Sequence, residues 1–151
     1  STATVVARLK VVLDSNIIIS ALIYGGKPQK IIDLVLEEKI IAYTSQILIA
    51  ELVDILIKKF HFTAERLQET EKYINEEWLF TLPKVSINIL KDIPDNRVLE
   101  AAVQSGSQYI ITGDKALLNL KNYKKIQIVS PAEFVKLDTK EAKNTKRLKE
   151  S

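Results

Sequence analysis

Short runs of apolar residues alternate along the chain with longer segments in which apolar positions recur every three to four residues. The short runs predict buried strands, and the longer segments predict helices with one apolar side. The predicted strands cover residues 8–14, 40–44, 109–112 and 126–129, with further extended chain on either side of Pro83. The predicted helices cover residues 16–24, 28–38, 47–60, 64–77, 96–105, 114–120 and 130–137.

This alternation of strands and helices predicts the α/β fold class, with a mostly parallel sheet and helices on both of its faces. Residues at the predicted junctions agree with it. Ser45 and Thr63 stand where they can cap the helices that follow them, and Gly106 stands where a helix would end. Residues 92–96 are predicted to form a turn before the next helix.

Composition restricts the class of protein further. A chain of 151 residues is long enough for one domain with a proper core, so we assign 1–137 to a single domain and 138–151 to a charged tail. The absence of Cys excludes disulfides, thiolate catalysis and Cys-ligated zinc. No long apolar run and no signal-peptide pattern are present, so we expect a cytoplasmic protein without a membrane partner. A net charge of +3 only weakly indicates a polyanionic partner.

An acidic residue, Asp14, ends the first predicted strand, and Ser15 and Asn16 follow it. Ligands of parallel α/β sheets bind at the carboxyl ends of the strands. Asp14 is therefore either the N-cap of the next helix or the first part of an active site, and its local sequence leaves both interpretations open.

Glu51 lies inside the strongly apolar helix 47–60, and no cation stands three or four residues from it. A carboxylate on such a helix is costly to desolvate unless something pairs with it. It lies either at a solvated edge of the helix beside Asp54 and Lys58, or it faces a site where a metal or substrate supplies positive charge. Asp54 has Lys58 four residues later and is interpreted as a surface residue.

Two further acids, Asp95 and Asp114, stand near strand ends, and each could also be a helix N-cap. Together with Asp14 and Glu51 they could converge on one crevice of the sheet. Clustered carboxylates cannot all stay ionised unless cations neutralise them. Ligands that are all oxygen suit Mg²⁺ or Mn²⁺, and such ions can activate water for attack on a phosphodiester.

Basic residues are scattered along the chain, and they are either ordinary solvated surface or part of a nucleic-acid path. These residues are Lys27, Lys30, Lys58, Lys59, Lys84, Lys121, Lys124 and Lys125. If those around the strand ends form a rim beside Tyr24 and Tyr123, they would guide an RNA backbone and stack its bases.

Four short motifs in order resemble the PIN-domain family over residues 10–135. The likeness is greatest to stand-alone members that act as toxins of toxin–antitoxin pairs, the VapC-like ribonucleases. The motifs are Leu13-Asp14-Ser15-Asn16, Ser45 with Glu51, Asp92-Ile93-Pro94-Asp95-Asn96-Arg97, and Ile111-Thr112-Gly113-Asp114-Lys115.

The resemblance implies a three-layer α/β/α sandwich with a mostly parallel, five-stranded sheet and a metal-dependent ribonuclease site. It implies four catalytic, metal-ligating acids, Asp14, Glu51, Asp95 and Asp114. It also implies five supporting residues, Ser15, Asn16, Ser45, Asp92 and Thr112. Two departures from the family pattern are an acid-poor third motif and Ala116, where a further acid often follows.

The sequence thus predicts an Mg²⁺- or Mn²⁺-dependent endoribonuclease that hydrolyses RNA. Predicted partners are RNA, an antitoxin protein and further copies of the chain, as a homodimer or higher homo-oligomer. One alternative is a PIN-fold RNA- or protein-binding module without cleavage activity. A phosphotransfer or receiver-type domain is disfavoured, because such domains need paired acids after strand one and Asp14 stands alone.

Overall fold

A six-stranded sheet lies at the centre of residues 8–137, the part of the chain that the computed structural model describes. The sheet order is β3-β2-β1-β4-β6-β5, and only β5 runs antiparallel to its neighbour. The strands are β1 (Leu9–Leu13), β2 (Ile40–Thr44), β3 (Leu79–Phe80), β4 (Tyr109–Ile111), β5 (Asn122–Tyr123) and β6 (Ile126–Val129).

Seven helices pack on the two faces of this sheet, which confirms the predicted three-layer α/β/α fold. Within residues 8–137 they are α1 (Ser15–Tyr24), α2 (Gly26–Leu36), α3 (Gln46–Lys58), α4 (Ala64–Glu77), α5 (Ile93–Ser105), α6 (Lys115–Leu120) and α7 (131–137). Side chains of Ser45 and Thr63 accept from backbone N–H groups at the starts of α3 and α4. Both predicted N-caps are therefore confirmed.

Two apolar clusters fill the space between the layers. Successive residues of β1 point to opposite faces, so Val11 belongs to one cluster and Val12 to the other. Helices α1, α2 and α4 pack on the first face and α5 on the second, while α3 contributes Leu52 to the first cluster and Leu48 to the second. Because β1 is buried on both faces, it reads in sequence as a continuous apolar run.

The predicted count of five strands is wrong, because β5 adds a short sixth strand. Lys124 and Lys125 make a tight turn that folds β5 back on β6, and positive φ at Lys124 marks that turn. The turn needs no glycine or proline, and so it gave no signal in the sequence.

The chain around residues 81–92 also differs from its prediction. Residues 85–89 looked extended in the sequence, but they pair with no strand of the described part of the chain. The predicted turn 92–96 is instead the start of α5, which begins at Ile93 with Pro94 in its first turn. Proline is well tolerated there because its missing N–H would lack a helical partner anyway.

The parallel register places the ends of β1, β2 and β4 at one edge of the sheet. Asp14 follows β1, Ser45 follows β2, and Thr112 follows β4. None of the helices within residues 8–137 combines the length and apolar character needed to cross a membrane. The predicted tail 138–151 lies outside the described residues.

Candidate active site

Asp14 lies at the centre of the carboxyl edge, with only 5% of its surface exposed. It occupies the N-cap position of α1 but its side chain makes no capping hydrogen bond. Its Oδ2 instead accepts a 2.8 Å hydrogen bond from the Thr112 hydroxyl, and Ser15 Oγ lies 3.5 Å from its Oδ1. The carboxylate of Asp14 therefore lies between the end of β4 and the first residues of α1, with its shortest hydrogen bond to β4.

Burial raises the pKa of Asp14 above its usual value, and the charge of Asp114 raises it further. The Thr112 hydrogen bond and the nearby backbone N–H groups of Asn16 and Ser15 oppose this shift. No cation among the described residues contributes to the pKa shift of Asp14. A positive charge placed beside Asp14 would therefore relieve an electrostatic cost.

Asp114 caps a helix and also lies at the edge of the sheet where the acids meet. Its Oδ2 accepts a 3.0 Å hydrogen bond from the backbone N–H of Leu117, so it caps α6 as predicted. Its own backbone N–H donates to the Thr112 hydroxyl at 2.9 Å. Thr112 therefore joins the ends of β1 and β4 and fixes the spacing between Asp14 and Asp114.

Asp95 lies in the first turn of α5 and is almost fully buried. The pKa of its carboxyl is raised to about 7, first by burial and then by charge repulsion from Asp114 and a hydrogen bond shared with it. The charges of Asp92 and Asp14 contribute to the same shift. Its Oδ2 is buried and has no hydrogen-bond partner within residues 8–137, which is an unusual state for a carboxylate oxygen.

Glu51 approaches the same group of acids from α3. It is half-buried, and its pKa is raised first by burial and then by the charges of Asp14 and Asp92. The interpretation of Glu51 as a solvated edge residue beside Asp54 is therefore wrong. Asp54 is exposed and pairs with Lys58 at 3.0 Å, as predicted.

The predicted supporting residues divide into two kinds. Thr112 and Ser15 touch Asp14 directly, whereas Ser45 caps α3 and thereby orients the helix that carries Glu51. Asn16 is exposed beside Asp14. Asp92 is exposed at the N-cap position of α5 and makes no capping hydrogen bond, so its carboxylate is free to face the cluster.

Two buried polar residues of α5, Asn96 and Glu100, were not predicted to have a role. The Asn96 side chain bonds to the backbone at residues 89, 90 and 92, and Glu100 bonds to the backbone N–H of Ile87. The sequence did contain a signal, because Asn96 and Glu100 are four residues apart, and so lie on the same side of a helix, among apolar residues. Their partners, however, lie in irregular chain, which no periodicity reveals.

The donor set fits a hard divalent cation in its chemistry. All its atoms are carboxylate oxygens, the pKa values of Asp14, Glu51 and Asp95 are raised, and one buried oxygen of Asp95 has no partner in the described chain. In their present positions, however, no three Asp, Glu, His or Cys side chains among residues 8–137 are arranged to hold a metal ion.

The basic residues are distributed differently from the expected rim. Lys124 and Lys125 precede β6, so they lie at the amino edge of the sheet, away from the acids. The idea that they line the site together with Tyr123 is therefore wrong. Lys91 and Lys115 are exposed and directly adjacent in sequence to Asp92 and Asp114, and the sequence alone did not mark them.

Comparison with known proteins identifies the family of this chain. A protein of Methanocaldococcus jannaschii, itself named only as uncharacterised, is 32% identical over 141 residues that cover 85% of this chain and 90% of that protein. A sequence model of the PIN domain matches residues 10–116, which include Asp14, Glu51, Asp95 and Asp114. PIN domains are generally nucleases. With the match spanning most of the sheet and the whole acidic edge, this chain belongs to the PIN domain family.

Proposed function

We propose that the chain is a metal-dependent endoribonuclease that hydrolyses phosphodiester bonds in single-stranded RNA. The observation that carries this proposal is a group of four carboxylates, Asp14, Glu51, Asp95 and Asp114, without a compensating cation from residues 8–137. Such a group is costly for a fold to maintain unless a cation binds there. PIN domain nucleases typically use divalent metals, which agrees with this chemistry.

Each acid has a distinct place in the proposal. Asp14 is the best-fixed ligand, because Thr112 holds one of its oxygens and the edge of β4 holds its backbone. Asp95 offers a buried oxygen with no partner among the described residues, and Asp114 leaves one oxygen available while the other caps α6. Glu51 comes from α3 and can approach from another side of the crevice.

Bound Mg²⁺ or Mn²⁺ supplies positive charge that activates water and offsets charge on the leaving oxygen. The protein's part is to hold the carboxylates at fixed positions. Asp95 is the acid whose protonation matters most near neutral pH, since its pKa lies at about 7. RNA would approach over the exposed lysines 91 and 115, whose charges favour a phosphate backbone.

The assignment to a toxin of a toxin–antitoxin pair rests on the motif resemblance alone. The antitoxin, the homo-oligomer and the cytoplasmic location stay predictions. A second candidate function is an RNA- or protein-binding PIN fold that does not cut. The observation in its favour is that no three acidic side chains in the described part of the chain now stand in a metal-holding arrangement.

The test compares Asp14→Asn and Asp114→Asn with wild type and with the surface control Asp54→Asn. Each protein is incubated with a fluorescent, unstructured RNA oligomer in Mn²⁺, in Mg²⁺ and in EDTA. We expect cleavage by wild type and Asp54→Asn only when metal is present, and at least about a thousandfold less by the two site variants.

Thermal unfolding of all four proteins shows whether the variants are folded. Equal cleavage by wild type and both site variants, in preparations free of contaminating nuclease, would overturn the assignment. Absence of cleavage together with absence of Mn²⁺ binding at millimolar concentration, measured by calorimetry on wild type, would favour the binding module.

A further inference from the structure

Residues 84–92, called here the 84–92 segment, connect β3 to α5 without regular secondary structure. Four of their backbone N–H groups, at residues 84, 87, 89 and 90, are nonetheless bonded, because side chains of α5 take the place of a neighbouring strand. Lys84 donates to Gln104, Ile87 donates to Glu100, and Ile89 donates to Asn96. The three acceptors are spaced four residues apart, so they form one stripe along the helix.

Asn96 has the most complete set of these bonds. Its Oδ1 accepts from the backbone N–H groups of Ile89 at 3.2 Å and Leu90 at 2.9 Å. Its Nδ2 donates to the carbonyl of Leu90 at 2.8 Å and to that of Asp92 at 3.4 Å. The Asn96 side chain is itself fully buried, which strengthens the hydrogen bonds that it makes.

Glu100 reinforces the middle of the segment. Its Oε2 accepts from the backbone N–H of Ile87 at 2.8 Å, and its Oε1 accepts from Arg97 Nη1 at 3.1 Å. Ile87 is itself buried in the apolar cluster under α5. Gln104, at the far end of the stripe, is exposed and holds Lys84.

The stripe ends at the acidic edge. Asp92 lies one helical turn before Asn96, and Asp95 directly precedes Asn96. Asp92 makes no capping hydrogen bond of its own, so the Asn96 amide is the side chain that reaches its backbone. The position of the first turn of α5 relative to Asp14 and Asp114 thus depends on a side chain that is bonded to the backbone of the 84–92 segment.

We propose that Asn96 is a positioning residue of the carboxylate site: it fixes the 84–92 segment and so sets where Asp92 and Asp95 stand. The effect of Asn96 on metal affinity rests on the proposed function, in which these carboxylates bind a metal ion. A solely structural Asn96 would stabilise the fold but leave the carboxylates of folded molecules in place.

The experiment compares Asn96→Ala with Gln104→Ala, which removes a bond to the same segment far from the acids. Carbon-13 NMR of the side-chain carboxyls, recorded on metal-free protein at one pH, reports the surroundings of Asp92 and Asp95. Calorimetry with Mn²⁺ reports affinity. Should Asn96→Ala fail to fold, Asn96→Ser keeps a short polar group and replaces it.

We expect Asn96→Ala to shift both carboxyl signals and to weaken Mn²⁺ binding by about tenfold or more, as changes to groups that support metal ligands do. Gln104→Ala should leave both signals in place and change affinity by less than about twofold. Unchanged signals and affinity in folded Asn96→Ala would overturn the proposal. If wild type binds no Mn²⁺, the proposed function fails, and the carboxyl signals still decide the role of Asn96.

Discussion

The Thr112 hydroxyl donates a 2.8 Å hydrogen bond to Oδ2 of Asp14, although 98 residues separate the two in sequence. The same hydroxyl oxygen accepts the backbone N–H of Asp114 at 2.9 Å. Thr112 is completely buried, and its bond to Asp14 is shielded from water. One hydroxyl thereby connects the two acids that end adjacent strands.

Thr112→Val keeps the shape of the side chain and removes both bonds. We expect it to lower the free energy of unfolding by about 1–2 kcal/mol, since a buried carboxylate oxygen and an N–H lose their partner. The pKa of Asp14 should rise further, because the Thr112 hydrogen bond holds it down. Urea unfolding and the pH profile of RNA cleavage measure the two effects.

Thr112→Ser is the matched control, since it retains the hydroxyl and lacks only a methyl group. It should keep most of the activity and the pH profile of wild type. A profile for Thr112→Val that coincides with that of wild type would contradict the role given to this hydroxyl.

Asp95→Asn should make the metal-free protein more stable at alkaline pH. A carboxyl whose pKa is raised on folding contributes stability below its unfolded pKa, near 3.8, and this stability is lost as pH rises through the folded value of about 7. Metal-free wild type should therefore become less stable between pH 5 and pH 8. At pH 8 the free energy of unfolding of the variant should exceed that of wild type by up to about 4 kcal/mol.

Urea unfolding in EDTA at several pH values checks this difference between wild type and Asp95→Asn. Saturating Mn²⁺ at pH 8 should stabilise wild type more than the variant, because the ion binds the folded carboxylates. The prediction fails if stability of the two metal-free proteins changes in parallel from pH 5 to pH 8.

Glu51→Gln should reduce cleavage strongly while leaving the fold intact or slightly stabilised. The reason is that Glu51 is half-buried beside Asp14 and Asp92, which repel its charge. Asp54→Asn, one turn along the same helix, removes an exposed acid that pairs with Lys58. Its effect on stability should stay below about 1 kcal/mol, with normal cleavage. An equal drop in cleavage in both variants would show that charge on α3 acts nonspecifically.

Lys91→Ala and Lys115→Ala should weaken binding of single-stranded RNA and reduce its dependence on salt. Each lysine neighbours an acid of the site, and removal of one lysine–phosphate interaction should lower the salt slope by about 0.7. Lys124→Ala and Lys125→Ala, at the opposite edge, serve as controls of equal charge change. Fluorescence anisotropy in EDTA at several salt concentrations measures binding without cleavage. Equal weakening in all four variants would exclude a localised RNA path.

Much of the fold could be predicted because local pattern and tertiary role coincide. The strands β1 and β4 are buried on both faces, so they appear as uninterrupted apolar runs, and Ser45 and Thr63 cap helices through bonds to their own next turn. The prediction of secondary structure failed where the hydrogen-bond partners of the backbone are distant in the sequence. Residues 85–89 have the composition of a strand, but Glu100 and Asn96 bind their backbone instead.

The candidate site shows the same division. Its acids could be picked out because each is a carboxylate at a strand end or on an apolar helix, and the family motifs agree with the matched PIN domain. The separate role of each acid could not be predicted from the residues that surround it in the sequence. Asp14 and Asp114 both precede helices, yet Asp114 caps its helix through Leu117 and Asp14 bonds to Thr112.

The sequence by itself therefore determined the α/β architecture, the family and the set of acidic residues, because these follow from hydrophobic periodicity and short motifs. Only the tertiary structure decided that Glu51 is half-buried among other acids, that Asn96 holds the segment leading to Asp92, and that lysines 124 and 125 lie at the other edge. The physical reason is that burial, charge repulsion and hydrogen-bond partners depend on distances between residues far apart in the chain, which no local pattern encodes.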